Sequence, residues 1–348
     1  MGRIKDDVLF QLISDFLQHY LPEERHASPN TIKAYRTALS QLLDFISEET
    51  GKKLSEVTAD NLTSKMVKAY LNDLAENKKL GTATRNNRLA SIKAFLNFCA
   101  GQRPEYMYYL SDIEQIPSQK QDVFRGVTYM SEHAVEVMLT QPDTKTRRGV
   151  RDQFFMILLY DTGARVQEMI DLRVCDVKVG KTMSATLQGK GSKMRQVPLM
   201  KETKLHFEHY MSVYHPDENA FSTEPLFYIE RHGARQKMSD DNVRKFLEKY
   251  RIQAKKICPE IPENVHPHLW RHSRAMHLYQ NGMDLTLIAQ WLGHVNIETT
   301  LIYAHADTEM KRKAIEKAMK KRAPTPHIVK RYVVDDEDVL RKLYGLAP

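Results

Sequence analysis

Six side chains in the second half of the chain have types and an order that could do chemistry: Arg165, Lys190, His268, Arg271, His294 and Tyr303. Singly, each has an ordinary explanation. Arg165 follows Gly163-Ala164, where a surface arginine is unremarkable, and Lys190 sits in a glycine-rich turn, where lysine often serves solubility. His268 and Arg271 lie in HPHLWRHSRA, and histidines near a helix start commonly cap or pack. Tyr303 could be a packed aromatic. Together they supply two guanidiniums, an ammonium, two imidazoles and a phenol, with no paired carboxylates. That set suits metal-free phosphoryl transfer. Guanidiniums bind the non-bridging oxygens of a phosphodiester bidentately and offset charge growing in the transition state. A phenol can attack phosphorus if a neighbouring base takes its proton, and an acid must then protonate the departing hydroxyl.

Competing chemistries lack their residues. A zinc hydrolase needs HExxH, but Leu269 follows His268. The Gly189-Lys190-Gly191 turn has neither the spacing nor the following helix of a phosphate-binding GxxxxGK[ST] loop. Clustered acids for a two-metal site occur only as Asp335-Asp336-Glu337-Asp338, in a polar tail. Cys99, Cys175 and Cys258 are too few and too scattered for a disulfide framework or a CxxC zinc site. No metal or cofactor is expected.

The elements that must carry these residues are mostly helical. Asp284 can cap a helix whose apolar face is Leu285, Ile288, Ala289 and Leu292. Gly293 stops it, and Asn296 can cap a short second helix, so that His294 and Tyr303 come from a bend and the helix after it. Upstream, Arg151 to Tyr160 reads as a buried helix ended at Gly163, followed by a short helix, VQEMIDL. Ser184 to Leu187 and Arg195 to Leu199 flank the glycine turn as a hairpin. Lys201 to Tyr214 and Ser239 to Lys256 are further helices, and Ser131 caps one over Glu132 to Thr140. The N-terminal part reads as a bundle of four helices: Asp7 to Tyr20, a second opened by Ser28-Pro29, Leu54 to Asn77, and Gly81 to Cys99. Leu110 to Thr128 is polar, contains Pro117 and has no sustained period, so it reads as a linker. The fold class expected is mainly α with a small antiparallel β-sheet.

At 348 residues, with 42% hydrophobic and 28% charged residues, the chain suits a two-domain globular protein. Its net charge of +8 attracts polyanions, although charge alone does not name one. Lys33 and Arg36 on the second helix, and Thr82, Arg85, Arg88 and Lys93 on the fourth, are placed for phosphate and base-edge contacts if those faces are exposed. The N-terminus has no signal-peptide core, Asp6 argues against myristoylation, and no apolar run approaches membrane-spanning length, so a cytoplasmic protein is expected.

At this point the chain resembles the tyrosine recombinases, the phage-type integrases and Xer-like recombinases. The resemblance covers nearly the whole chain. SPNTIKAYRTALSQLLDFI through GTATRNNRLASIKAFLNFC is similar to the family's helical core-binding domain, and TGARVQEMIDL, LQGKGSKMRQVPL, HPHLWRHSRA and WLGHVNIETTLIYAH follow in the family's order. The resemblance implies a site-specific recombinase acting on double-stranded DNA through a 3′-phosphotyrosine intermediate, as a homotetramer on paired sites. It implies that Arg165 and Arg271 clamp the scissile phosphate, Lys190 protonates the 5′-hydroxyl leaving group, and His268 takes the proton of the phenol. His294 would hydrogen-bond the phosphate, Tyr303 would attack, and Glu168 would orient Arg165; His272 is left structural. The expected organisation is a core-binding domain over 1–112, a linker over 113–128, a catalytic domain over 129–323 and a tail over 324–348 that could dock on a neighbouring protomer. With few residues before the first helix, no arm-binding domain is expected. Two rivals stay open: a topoisomerase of type IB, with the same chemistry but no strand exchange, and a recombinase-derived DNA-binding protein without activity.

Overall fold

The computed structural model describes residues 4–120, 127–189, 193–294, 296–306, 312 and 337–345. The chain divides into two compact units, Met1–Arg125 and Gly126–Pro348.

The first unit is a helical bundle. Its helices are α1 (Asp7–Asp15), continued by a wider π-type run over Phe16–Glu24 that contains Pro22, then α2 (Pro29–Thr50), α3 (Ser64–Glu76), α4 (Thr82–Gln102) and α5 (Met107–Glu114). α2 begins where the sequence predicts: the Ser28 hydroxyl accepts from the Thr31 amide at 3.2 Å, and Pro29 sits where its missing N–H costs nothing. Its stripe of Leu39, Leu42, Phe45 and Ile46 is buried in one core with Leu71, Leu74, Ile92, Phe95 and Leu96.

Two expectations for this unit are corrected. The third helix does not start at Leu54. Two single 3₁₀ turns come first, Leu54–Glu56 and Ala59–Asn61. In each, the side chain of the last residue reaches back to a backbone amide (Lys53 N to Glu56 Oε2, 2.9 Å; Thr58 N to Asn61 Oδ1, 3.1 Å), which closes the turn. α3 starts only after Thr63, whose hydroxyl caps Met66. The linker also begins later than predicted. α5 buries Leu110 and Ile113, followed by Ile116, and Asp112 accepts from both the amide (2.6 Å) and the hydroxyl (2.9 Å) of Ser64. Three apolar residues at spacing three were too short a stripe to stand out from polar neighbours. Linker residues 121–126 lie outside the described residues.

The expected DNA-facing cations divide. Lys33 and Arg36 are exposed and Thr82 is partly so. Arg85 is buried, with Nη1 donating to Asn86 Oδ1 at 3.3 Å, and Arg88 donates through Nε to Gln41 at 3.0 Å. Lys93 places its ammonium on the carbonyls of Glu114 (3.0 Å) and Ile116 (2.8 Å), where a cation satisfies the C-terminal end of α5. Arg85 is therefore taken into the bundle, while Arg88 and Lys93 are partly exposed with donors engaged by other residues of the bundle.

The second unit holds α6 (Glu132–Leu139), α7 (Arg147–Thr162), α8 (Val166–Asp171), α9 (Lys201–Tyr214), α10 (Asp240–Lys255), α11 (Pro267–Gln280), α12 (Leu285–Leu292) and α13 (Glu298–Ala306). One antiparallel sheet has the order β1 (Val177–Lys178), β2 (Ser184–Gln188), β3 (Met194–Pro198), with Ala185 opposite Val197. A second hairpin, β4 (Tyr228–Arg231) with β5 (Ala234–Lys237), was not expected. Its charged sequence hides the alternation. The two-residue turn is legible only in hindsight: His232 and Gly233 both adopt positive φ, +52° and +76°, the geometry that matches hairpin twist. α7 is the central helix, its Phe154, Phe155, Leu158 and Leu159 wholly buried. Asp161 near its end accepts from Met200 N (2.9 Å), Thr203 Oγ1 (2.8 Å) and Arg274 Nη2 (3.3 Å), tying α7 to α9 and α11. Among the described residues no helix is long and apolar enough to cross a membrane. A short helix over Glu337–Leu343 exposes Val339, Leu340 and Leu343; Leu346 lies outside the described residues.

Candidate active site

Three helix ends and one strand converge in the second unit. α7 stops at Gly163 (φ +59°), whose position leaves no room for a side chain: a Cβ would stand 2.9 Å from Leu292 Cδ2. Two residues on, Arg165 opens α8, and its amide donates to Glu168 Oε2 (2.8 Å) while Nη1 donates to Glu168 Oε1 (2.9 Å). Glu168 is buried and takes two further bonds from Arg195 of β3, to Nη1 at 2.9 Å and Nη2 at 2.7 Å. Burial pushes this carboxyl up, but the charge and hydrogen bonds of Arg195, then Arg165, outweigh it and hold the group below the usual range. Glu168 is thus ionised and fully used.

Arg271 of α11 is buried, and it is fixed by two backbone carbonyls at helix C-termini: Gly163 O (2.7 Å, from Nη1) and Leu292 O (2.6 Å, from Nη2). Arg195 donates Nε to the adjacent Trp291 O at 3.0 Å. The negative ends of α7 and α12 therefore hold two guanidiniums in place without neutralising them. Burial, then repulsion from Arg165 and Arg195, lowers Arg271 to about 10, which still leaves it charged at neutral pH. Three guanidiniums share one carboxylate here. The excess positive charge is what an anion would complete.

The end of α12 is a Schellman turn. Gly293 (φ +66°) donates to Gln290 O (3.1 Å) and His294 N to Ala289 O (2.9 Å), so the chain leaves the helix at His294. The Nδ1 of His294 is 2.8 Å from Thr300 Oγ1 in the first turn of α13, which leaves Nε2 as its free ring nitrogen. Burial, then Arg271 and Arg165, lowers His294 to about 4, so the imidazole is neutral. Asn296 caps α13 as predicted, accepting from Glu298 N at 3.0 Å.

Tyr303 lies in the second turn of that helix, buried among Ala275, Met276, Leu278, Ile288 and Leu292. Burial pushes the phenol up to about 12, with Arg271 opposing. Its hydroxyl is 2.9 Å from Nδ1 of His272, the residue set aside in the sequence as structural. Among the described residues no hydrogen bond joins Tyr303 to His268, which is exposed, with its pKa lowered by burial of the ring edge, then by His266 and Arg271. The structure thus brings together Arg165, Glu168, Arg271, His294 and Tyr303, places His268 one turn from His272 on α11, and leaves Lys190 outside the described residues. Two residues escaped sequence reasoning, Arg195 and His272. Only the RHSR run, with its second histidine directly after Arg271, hinted at one of them. Among the described residues, no group of three or more His, Cys, Asp or Glu side chains could hold a metal.

A fold of helical bundle plus helical unit with a small hairpin, carrying a buried phenol beside a cluster of guanidiniums, defines an enzyme built for a phosphodiester. The phage integrase family matches residues 128–310, and the N-terminal SAM-like domain of phage integrases matches residues 13–102. The tyrosine recombinase XerD of Listeria innocua is 31% identical over 317 residues, covering 90% of this chain and 99% of that protein. A putative integrase/recombinase of Sinorhizobium fredii is 31% identical over 310 residues, covering 89% and 91%. Among solved structures, the recombinase XerH bound to a palindromic difH substrate, a post-cleavage complex, superposes with a TM-score of 0.64 at 20% identity, covering 92% of this chain and 91% of that one. The chain belongs to the phage integrase family, the tyrosine site-specific recombinases.

Proposed function

We propose that the second unit breaks and rejoins double-stranded DNA at specific sites, with Tyr303 as the nucleophile. The observation that carries this reading is the buried phenol within the field of Arg271, which in turn lies within the field of Arg165 and Arg195, the two arginines that hold Glu168. Arg165 and Arg271 hold the two non-bridging oxygens of the scissile phosphate, with Glu168 fixing the first. His294, kept neutral, donates from Nε2 to a phosphate oxygen when the Thr300 hydroxyl donates to Nδ1. Attack by Tyr303 gives a 3′-phosphotyrosine and releases a 5′-hydroxyl, protonated by Lys190 from the hairpin turn. A 5′-hydroxyl from another strand reverses the step, and the bond energy is conserved.

The first unit grips the duplex as the core-binding domain, with Lys33, Arg36 and Thr82 facing phosphate, while the second unit supplies the chemistry from 129 to 323. Four protomers assemble on two sites, which places the enzyme with the DNA in the cytoplasm. The tail over 324–348 docks on a neighbouring protomer, presenting Val339, Leu340 and Leu343. The deciding experiment is a nicked suicide substrate that traps the covalent complex. The full-length protein accumulates the adduct and Tyr303→Phe does not; an adduct that persists in Tyr303→Phe would remove Tyr303 from the role. A two-site strand-exchange assay separates a recombinase from an enzyme that only relaxes supercoils.

A further inference from the structure

Arg244 lies in the second turn of α10, a helix that packs against α8, which Arg165 opens. Its Nε donates to Asp240 Oδ2 at 2.9 Å, one helical turn back. Nη1 and Nη2 have no partner among the described residues, and the side chain is 54% exposed. The charge of Arg244 also reaches the start of α11. Burial, then Arg244, lowers the pKa of His266, and burial, then His266, Arg271, Arg165 and Arg244, lowers that of His268. Arg244 therefore shares one field with the two arginines expected on the scissile phosphate. Along the same first turns, α10 borders an open cleft of about 860 Å³. Arg148 of α7, Arg231 of the β4–β5 hairpin and Lys245 of α10 line it with no ion-pair partner among the described residues. Unpaired cations spread over three elements suit an extended polyanion. A duplex that reaches both the cleft and the active site has to cross α10.

The neighbours of Arg244 favour a base edge over a phosphate. Asp240 and Asp241 stand in the turn before it, and Asp241 is exposed. Two carboxylates repel a phosphodiester, whereas a base pair in the major groove offers donors as well as acceptors. With Nε tied to Asp240, the two terminal nitrogens form a fork of fixed orientation. That fork matches O6 and N7 of guanine, and the amino group of the paired cytosine is a donor that a nearby carboxylate can accept.

We propose, on the reading that this chain cleaves DNA at specific sites, that Arg244 is a specificity-determining residue that reads one guanine in the major groove near the cleaved step. Nη1 and Nη2 donate to O6 and N7 of that base, and Asp240 is the positioning residue that keeps the fork aimed. The cations of the cleft hold backbone on one flank of α10 and carry no sequence information. Sequence choice and cleavage are thereby joined through short packing distances, since α10 rests on the helix that starts with Arg165.

The test selects sequences bound by full-length protein from a randomised duplex library, for the parent, Arg244→Ala and Arg244→Lys. The parent should select a site containing a guanine that both variants cease to require, while the other selected positions persist. On the parental site, Arg244→Ala should bind about ten- to hundredfold more weakly, in the range of one lost bidentate base contact. Arg244→Lys keeps the charge without the fork, so it should lose the same preference and keep the parental dependence on salt. Replacing the guanine by 7-deazaguanine, which lacks N7, should weaken the parent and leave Arg244→Ala unchanged. Asp240→Asn should lose part of the preference at that one position. Thermal melts should stay at the parental value, since Arg244 is largely exposed. The proposal is overturned if Arg244→Ala selects the parental site, or if Arg244→Lys restores full binding. It is also overturned if Arg244→Ala weakens every sequence alike with the salt slope reduced by roughly one, the mark of a phosphate contact. A parent that selects no sequence at all would remove site specificity itself, a readout distinct from any failure of Arg244.

Discussion

Arg195 holds Glu168 through a two-pronged pair, 2.9 and 2.7 Å, with both side chains largely out of solvent. The pair joins β3, at the root of the hairpin that carries Lys190, to the helix that starts with Arg165, and the third donor of Arg195 reaches Trp291 O on α12. Arg195→Ala would leave a buried carboxylate short of two bonds and free a helix C-terminus. The expected loss is about 3 kcal/mol, read as a shift in the urea midpoint, with a larger fall in cleavage than in binding because Glu168, which orients Arg165, loses its anchor. Equal falls in both would place Arg195 in general stability alone.

The two glycines at the helix ends are expected to fail when replaced. Gly163→Ala meets both a left-handed φ and a Leu292 methyl at 2.9 Å; Gly293→Ala meets φ +66° and the Arg195 side chain at 3.1 Å. Each should cost about 1–2 kcal/mol from backbone alone. Gly293→Ala should in addition reduce cleavage, since the displaced side chain is Arg195. Thermal melts and single-turnover cleavage check the two effects separately.

Thr300→Val keeps the volume of a buried residue but removes the partner of His294 Nδ1. The ring is then free to turn or to adopt the other tautomer. Cleavage should fall roughly tenfold, the equivalent of one hydrogen bond, with DNA affinity nearly unchanged. A histidine whose Nδ1 bond is irrelevant would give no loss.

Acid should unfold the second unit through its neutral histidines. His272 and His294 have folded values lowered to about 4 from an unfolded value near 6.5. Between these values the unfolded chain binds protons that the folded chain refuses, so stability rises with pH across this window and falls as pH drops from about 6.5 towards 4. Denaturation midpoints measured across that range should show the slope, and it should be shallower in a His272→Gln, His294→Gln double variant.

In the first unit, the cations should sort by their partners. Lys33→Ala with Arg36→Ala should weaken DNA binding and flatten its dependence on salt, while the unfolding midpoint stays put. Lys93→Met should do the reverse, loosening the bundle because Glu114 O and Ile116 O lose their donor. Salt titrations and melts on the same samples distinguish the two outcomes.

Much of this was legible along the chain because it is written in local chemistry. Ser28-Pro29, Asp284, Gly163, Gly293 and Asn296 set helix ends through their own backbone preferences, and the structure has those ends where the residues ask for them. The types and order of Arg165, Arg271, His294 and Tyr303 likewise carry the class of chemistry. What stayed hidden depends on partners far away in sequence. Nothing local says that Lys93 caps α5, that Arg85 is buried, or that the charged run around His232-Gly233 forms a hairpin.

The sequence by itself therefore determined most of the helices, the central hairpin and the class of reaction, since capping, periodicity and functional groups are properties of residues and their near neighbours. Only the tertiary structure decided which histidine meets Tyr303 and which arginine completes Glu168. His268 and His272 lie one turn apart on the same helix, and the sequence reading took the first and left the second structural. The packing of α13 against α11 is what sets Oη beside Nδ1 of the second and not the first.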